Sequence, residues 1–266
     1  MNIVVETEAL TRRFDERVAV DTLNLVIEAG EIFALLGPNG AGKSTTLKML
    51  TTLLPPTSGS ARVAGFDIVR QAGRVRRAIG YVPQLISADG MLTGRENLLI
   101  AAKLYDVPRP ERESRIRDAL DFMDLGEYAG RLVNQYSGGM IRRLEIAQSM
   151  LHQPRVLFLD EPTGGLDPIA RNAVWERLLE LRDRFGTTVI FTTHLMDEAD
   201  DFATRLAIMH RGRVVADGTP AALKSGIGVP EATLDDVFVH YAGDVIEEGD
   251  SFRETARLRH AARRLG

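Results

Sequence analysis

Apolar and polar side chains alternate through the first thirty residues. Leu23, Leu25 and Ile27 alternate with Asn24, Val26 and Glu28, the period of a half-buried strand, and Ala29-Gly30 ends it in a turn. Residues 31–36 read as a short apolar strand that runs into a glycine-rich loop. The period then changes. Leu47, Leu50 and Leu54 recur at helical spacing, and Pro55-Pro56 predicts the stop. Residues 57–84 read as short strands and turns, with strands over 61–66 and 79–83. From 85 to 153 the strand signal fades, and helices are predicted over 96–105, 111–123 and 137–151. Residues 156–160 form a continuous apolar run ending in an acid, as a strand covered on both faces would. Asp167 is an N-cap with Pro168 at the first helical position, and Gly186 closes that helix. Val174, Leu178, Leu181 and Phe185 are predicted to line its apolar face. Residues 187–193 read as a further strand, and 205–218 as a hairpin turning at Arg211-Gly212. Strands alternating with helices predict an α/β protein with a mainly parallel sheet, and 85–153 reads as an inserted helical subdomain.

Composition narrows the chemistry. A formal net charge of −4 disfavours a dedicated nucleic-acid binder, which needs a basic face. The absence of cysteine excludes disulfides, thiolate metal sites and a cysteine nucleophile in these residues. The first residues carry acids and no continuous apolar region, so they read as no signal peptide. No run approaches the ~18 apolar residues of a membrane span, so work at a membrane would need another chain to do the spanning. From about Gly243 the chain is polar, and residues 253–264 are rich in arginine, with Leu258 and Leu265 on roughly one side. Such a tail could touch anionic lipid, although a solvated, frayed helix is the plainer reading.

Two motifs carry chemistry. Gly37, Pro38, Asn39, Gly40, Ala41, Gly42, Lys43 and Ser44, followed by Thr45, match the pattern G-x-x-x-x-G-K-[ST] between a predicted strand and a predicted helix. Phosphate oxygens need a concave ring of backbone N–H donors, and the positive end of a helix dipole adds to it. Lys43 would reach the β- and γ-phosphates, and the Ser44 hydroxyl would bind Mg²⁺. The second motif is the acid pair Asp160-Glu161 at the end of the apolar strand. Ligands of such sheets lie beyond the carboxyl ends of the strands. Asp160 is placed as the Mg²⁺ partner and Glu161 to polarise an attacking water.

In this order along the chain, the motifs resemble those of the ATP-binding subunits of ABC transporters, over roughly residues 2–220. Tyr136-Ser137-Gly138-Gly139-Met140 is similar to that family's signature Leu-Ser-Gly-Gly-Gln, with tyrosine for leucine and methionine for glutamine. Ser137 also reads as the N-cap of its helix. Gln84 matches the family's Q-loop residue, which senses Mg²⁺ and water and hinges the helical subdomain, so the resemblance places it with Glu161 and His194 among the catalytic residues and with Ser44 and Asp160 at the metal. Asp167 matches the D-loop, His194 the switch histidine that meets the γ-phosphate, and Phe14 the aromatic that stacks on adenine. The variant signature and Thr233-Leu234-Asp235-Asp236-Val237-Phe238 resemble the daunorubicin-resistance exporter subgroup.

The resemblance implies a P-loop NTPase core with a mainly parallel sheet, an N-terminal antiparallel β subdomain and an inserted helical subdomain. It places the ATPase domain at 1–225 and a C-terminal extension, helical or partly disordered, at 226–266. It implies an ATPase that uses ATP and Mg²⁺ and pairs head to tail with a second cassette. Each ATP would then lie between the loop of one copy and Ser137, Gly138, Gly139 and Met140 of the other. The partners would be integral membrane permease subunits, at the cytoplasmic face of the membrane, and the cargo a drug, lipid or polysaccharide. A soluble ABC-type ATPase acting on ribosomes or DNA is the alternative. Only about fifty residues separate Gln84 from Ser137, too few for the long antiparallel coiled coil such proteins carry.

Overall fold

The computed structural model describes residues 2–243, so the arginine-rich 253–264 segment lies outside the described residues. The chain opens with β1 (Ile3–Phe14) and β2 (Arg17–Glu28), a long antiparallel hairpin. β3 (Ile32–Leu36) and helix α1 (Lys43–Leu50) follow. β4 (Ser58–Val63) and β5 (Phe66–Asp67) then return to β1 and complete a four-stranded antiparallel sheet in the order β2-β1-β4-β5. Helix α2 (Ala72–Ala78) leads into β6 (Ile79–Val82). Three helices come next, α3 (Gly94–Leu104), α4 (Arg112–Phe122) and α5 (Gly138–Met150). The remaining chain alternates as β7 (Val156–Asp160), α6 (Pro168–Phe185), β8 (Thr188–Thr193), α7 (Met196–Phe202) and β9 (Arg205–His210). It ends in β10 (Arg213–Gly218), α8 (Pro220–Gly226) and α9 (Leu234–Ala242).

The second sheet has six strands in the order β10-β9-β3-β8-β7-β6. All its pairings are parallel except that of β10 with β9. This is the mainly parallel α/β core that the alternation of strands and helices predicted. β3, β7 and β8 are buried at every position because both faces are covered. The pleat divides them between two cores. Ile32, Ala34 and Leu36 join the side packed by α3 to α7 and α9, whereas Phe33 and Leu35 join the side packed by α1 and the antiparallel sheet. Leu234, Val237, Phe238 and Ala242 place α9 in the first of these cores.

Local details depart from the sequence pattern. The α1 helix ends at Leu50 and not at the prolines after Leu54. Thr52 adopts φ 65°, its amide bonds Met49 O, and the Leu53 amide bonds Lys48 O. These are the two closures of a Schellman motif, which stops the helix a turn early and leaves Leu53 exposed. Residues 61–66 are not one strand. Ala64 and Gly65 take positive φ, so Val63 turns back to pair with Phe66 in a tight hairpin. Phe185 does not join the buried face of α6. It is 55% exposed at the last helical position and meets Phe122 edge-on at 5.8 Å. Helices α2, α7 and α8 escaped the pattern because each is seven residues long, too short to show a period.

Two packing contacts set the relation of helices to sheet. A Cβ on Gly80 would lie 2.5 Å from the Ser149 carbonyl oxygen, so the backbones of β6 and α5 touch. Trp175 is fully buried, stacks on Phe202 at 4.4 Å and donates its indole N–H to Glu198 Oε1 at 2.9 Å. The Thr163 hydroxyl donates to the same oxygen, which ties α6, α7 and the loop after β7 together.

Gly80→Ala should therefore push α5 off β6 and cost about 1–3 kcal/mol in chemical denaturation. Wild-type stability for that variant would refute the contact. Trp175→Phe leaves the buried Glu198 short of one donor and should cost about 2–4 kcal/mol, measured in the same way.

Candidate functional site

The glycine-rich loop lies between the end of β3 and the start of α1. Gly42 sits at φ 106°, and a Cβ there would lie 2.5 Å from Ala19 O on β2, so only glycine fits. α1 begins with no side-chain cap and no acid in its first turn. Its first amides thus point into the loop with the positive end of the helix dipole, an arrangement suited to phosphate. Lys43 Nζ donates to Gly37 O at 2.7 Å and to Pro38 O at 3.1 Å. Burial lowers its pKa from the usual lysine value, against the pull of Glu161 and Asp160.

Asp160 is buried at the end of β7. Its Oδ1 accepts the Ser44 hydroxyl at 2.9 Å and the Thr192 hydroxyl at 2.6 Å. Burial and the nearby Asp160 charge push the Tyr81 phenol up to about 12, so Tyr81 stays neutral. A hydroxyl and a carboxylate are hard oxygen donors, which fit Mg²⁺. Among the described residues no three His, Cys, Asp or Glu side chains converge as a metal cage. Ser44 and Asp160 would therefore share the ion with phosphate and water oxygens, the usual habit of Mg²⁺.

Glu161 turns the chain. It adopts φ 48°, unusual for a side chain of this kind, and its amide donates to Thr192 Oγ1 at 2.9 Å. The turn brings its carboxylate over the loop. Oε1 lies 3.2 Å from His194 Nδ1 and 3.9 Å from Lys43 Nζ, and Oε2 accepts Gln84 Nε2 at 3.1 Å. Lys43, Ser44, Gln84, Asp160, Glu161 and His194 thus meet at the carboxyl ends of β3, β6, β7 and β8.

The other sequence-predicted residues lie elsewhere. Phe14 is exposed at the tip of the β1–β2 hairpin, with the Arg12 guanidinium 4.6 Å above its ring. Asp167 caps α6 through the Ala170 amide at 2.9 Å. Ser137 caps α5, accepting from the Met140 amide at 3.3 Å. A Cβ on Gly138 or Gly139 would touch Leu166 or Ala170, so this tetrapeptide packs beside Asp167. Among the described residues no hydrogen bond joins residues 137–140 to residues 37–45. Tyr136 is buried and donates its hydroxyl to Tyr128 O at 2.7 Å, which gives the tyrosine of the variant signature a structural partner.

Thr192, Arg142 and Glu145 were missed in the sequence. A hydroxyl at the end of an apolar strand marked Thr192, and two charges on the inner side of a helix marked the others. Arg142 and Glu145 are both buried.

The ABC transporter family model matches residues 20–164. The chain is 47% identical over 224 residues to the daunorubicin/doxorubicin resistance ATP-binding protein DrrA of Streptomyces peucetius, covering 84% of this chain and 68% of that protein. It is 42% identical over 225 residues to the Nod factor export ATP-binding protein I of Burkholderia thailandensis, covering 84% and 74%. Among solved structures, an ATP-binding subunit of an ABC transporter superposes with a TM-score of 0.80 at 30% identity, covering 90% of this chain and 99% of that one. A dimeric post-hydrolysis cassette bound to ADP and Pi superposes with a TM-score of 0.72 at 28% identity, covering 81% and 98%. The fold, the loop geometry and these likenesses agree: the chain belongs to the ABC transporter family, as an ATP-binding ATPase subunit of the daunorubicin-resistance subgroup.

Proposed function

We propose that this subunit powers an exporter of a drug, lipid or polysaccharide by closing ATP between two copies packed head to tail. The carrying observation is the division of the site. The phosphate loop and its acids converge within one chain, whereas residues 137–140 pack on Leu166 and Ala170 without a bond to that loop. An α5 N-terminus beginning Ser-Gly-Gly suits the γ-phosphate of a nucleotide held by a second copy. The likeness to a dimeric cassette supports the same arrangement.

In hydrolysis, a water oxygen bonds to the γ-phosphorus as the bond from that phosphorus to the β–γ bridging oxygen breaks. Glu161 takes the water's proton, and ADP and phosphate leave. Lys43 offsets charge on the β- and γ-phosphates, and His194, whose Nδ1 lies 3.2 Å from Glu161 Oε1, meets the γ-phosphate. Gln84 orients Glu161 and the water. Ser44 and Asp160, with Gln84, would hold Mg²⁺, which would supply neutralisation of phosphate charge. Phe14 offers its ring to adenine, and Asp167 lies where a second copy would pack.

The partners in this reading are integral membrane permease subunits, with the chain at the cytoplasmic face of the membrane. Among the described residues no helix is long and apolar enough to cross a membrane. Exposed Leu85, Ile86, Met91 and Leu104 in and around the helical region support docking there on a permease. The alternative of a ribosome- or DNA-acting ATPase gains nothing from this region, where α3 and α4 are 11 residues each.

Glu161→Gln should bind ATP, lower kcat by about 100-fold or more and elute as a nucleotide-dependent dimer on size exclusion. Hydrolysis at the normal rate would remove Glu161 from the role of base. Lys43→Ala should weaken ATP binding about 10- to 100-fold in an equilibrium titration, the loss of one charge-assisted contact. An unchanged affinity would sink its phosphate role.

A further inference from the structure

Pro83 and Gln84 leave the sheet after β6 and begin the crossover to α3. Between residues 83 and 88, among the described residues, no main-chain group bonds another main-chain group. Two side chains of α5 hold this stretch instead. Arg142 donates from Nη1 to Pro83 O at 2.8 Å and from Nη2 to Gln84 O at 3.1 Å. Glu145 Oε1 accepts the Ser87 amide at 2.5 Å and the Ser87 hydroxyl at 2.9 Å. Arg142 Nη1 and Glu145 Oε2 stand 3.1 Å apart, with the side chains 8% and 1% exposed.

A buried ion pair is a poor source of stability, because desolvation offsets most of the attraction. What this pair does well is fix direction. Its hydrogen bonds outside the pair all run to one short segment, and the residues within that segment, Leu85 and Ile86, are exposed and give no anchorage. The helix that carries the pair is itself held. Its C-terminal part touches β6 at Gly80, and its N-terminus begins with the Ser-Gly-Gly run. The next link is Gln84 Nε2, which donates to the Glu161 carboxylate.

We infer that Arg142 and Glu145 are positioning residues for hydrolysis, which lock the main chain of residues 83–87 to the signature helix and so hold the Gln84 amide on Glu161. The inference rests on the reading of Gln84 as part of the hydrolytic site.

The test is a double-mutant cycle in the full chain, with kcat and KM for ATP measured for Gln84→Ala, Glu145→Ala and the double variant. Glu145→Ala should lower kcat about 10-fold, the effect of a misplaced group, with KM for ATP within about 2-fold of wild type. A purely structural role would lower the yield or the melting temperature and leave kcat per nucleotide-binding chain intact. The double variant should be no slower than Gln84→Ala alone, since the second change acts through a group already lost. A further loss of about 10-fold on the Gln84→Ala background overturns the inference, as does full kcat in Glu145→Ala. Full kcat in Gln84→Ala overturns instead the reading of Gln84 beneath it. Should Glu145→Ala fail to fold, Arg142→Lys replaces it in the cycle. An ammonium cannot present two N–H groups to two carbonyls as the guanidinium fork does, so the same loss of kcat is expected.

Discussion

One buried carboxylate organises this molecule. Asp160 Oδ1 accepts hydroxyls from Ser44 on α1 and Thr192 on β8, so three elements from distant parts of the chain meet at one oxygen. A charged acceptor inside the protein needs such donors, because without them nothing offsets the cost of desolvation. The same oxygen sits where the parallel strands end, next to the open N-terminus of α1. The fold thus sets a negative group beside a positive helix end, which is the pair of charges that a cation and a phosphate need.

Glu161 depends on that arrangement. Its left-handed backbone is held by a hydrogen bond from its N–H to Thr192 Oγ1, and the same hydroxyl donates to Asp160. A strained turn of this kind persists only when its surroundings over-determine it. Here β7, β8 and α1 do so, and the result is a carboxylate that meets Lys43, Gln84 and His194 together. The four side chains come from four segments, and none is brought there by its sequence neighbours.

The helical region shares its core with the sheet, through Leu98, Ile116, Leu144 and Ile146 packed with Leu157 and Leu159. α5 touches β6 backbone to backbone at Gly80, and Arg142 with Glu145 grips the segment that follows β6. A backbone contact this close fixes the distance between α5 and β6. The N-terminus of α5 carries Ser137-Gly138-Gly139, and Arg142 and Glu145 in its middle turns hold residues 83–87.

Period and motif were enough to read the α/β alternation, the apolar strands, the phosphate loop, the acid pair and the caps at Ser137 and Asp167. These are local properties, since a loop of defined glycines or a strand buried on both faces leaves its mark on adjacent residues. The early end of α1 was hidden because a threonine, not a glycine, takes the left-handed position at residue 52. The short helices α2, α7 and α8 were hidden because a single turn or two has no period to read. Thr192, Arg142 and Glu145 could not be assigned from the sequence because their partners lie 32, 58 or 59 residues away. The sequence by itself thus determined the fold class and which residues could handle phosphate. Only the tertiary structure decided that Glu161 is the point where Lys43, Gln84 and His194 meet. Hydrogen bonds between distant segments depend on how strands are ordered in the sheet, and no local pattern encodes that order.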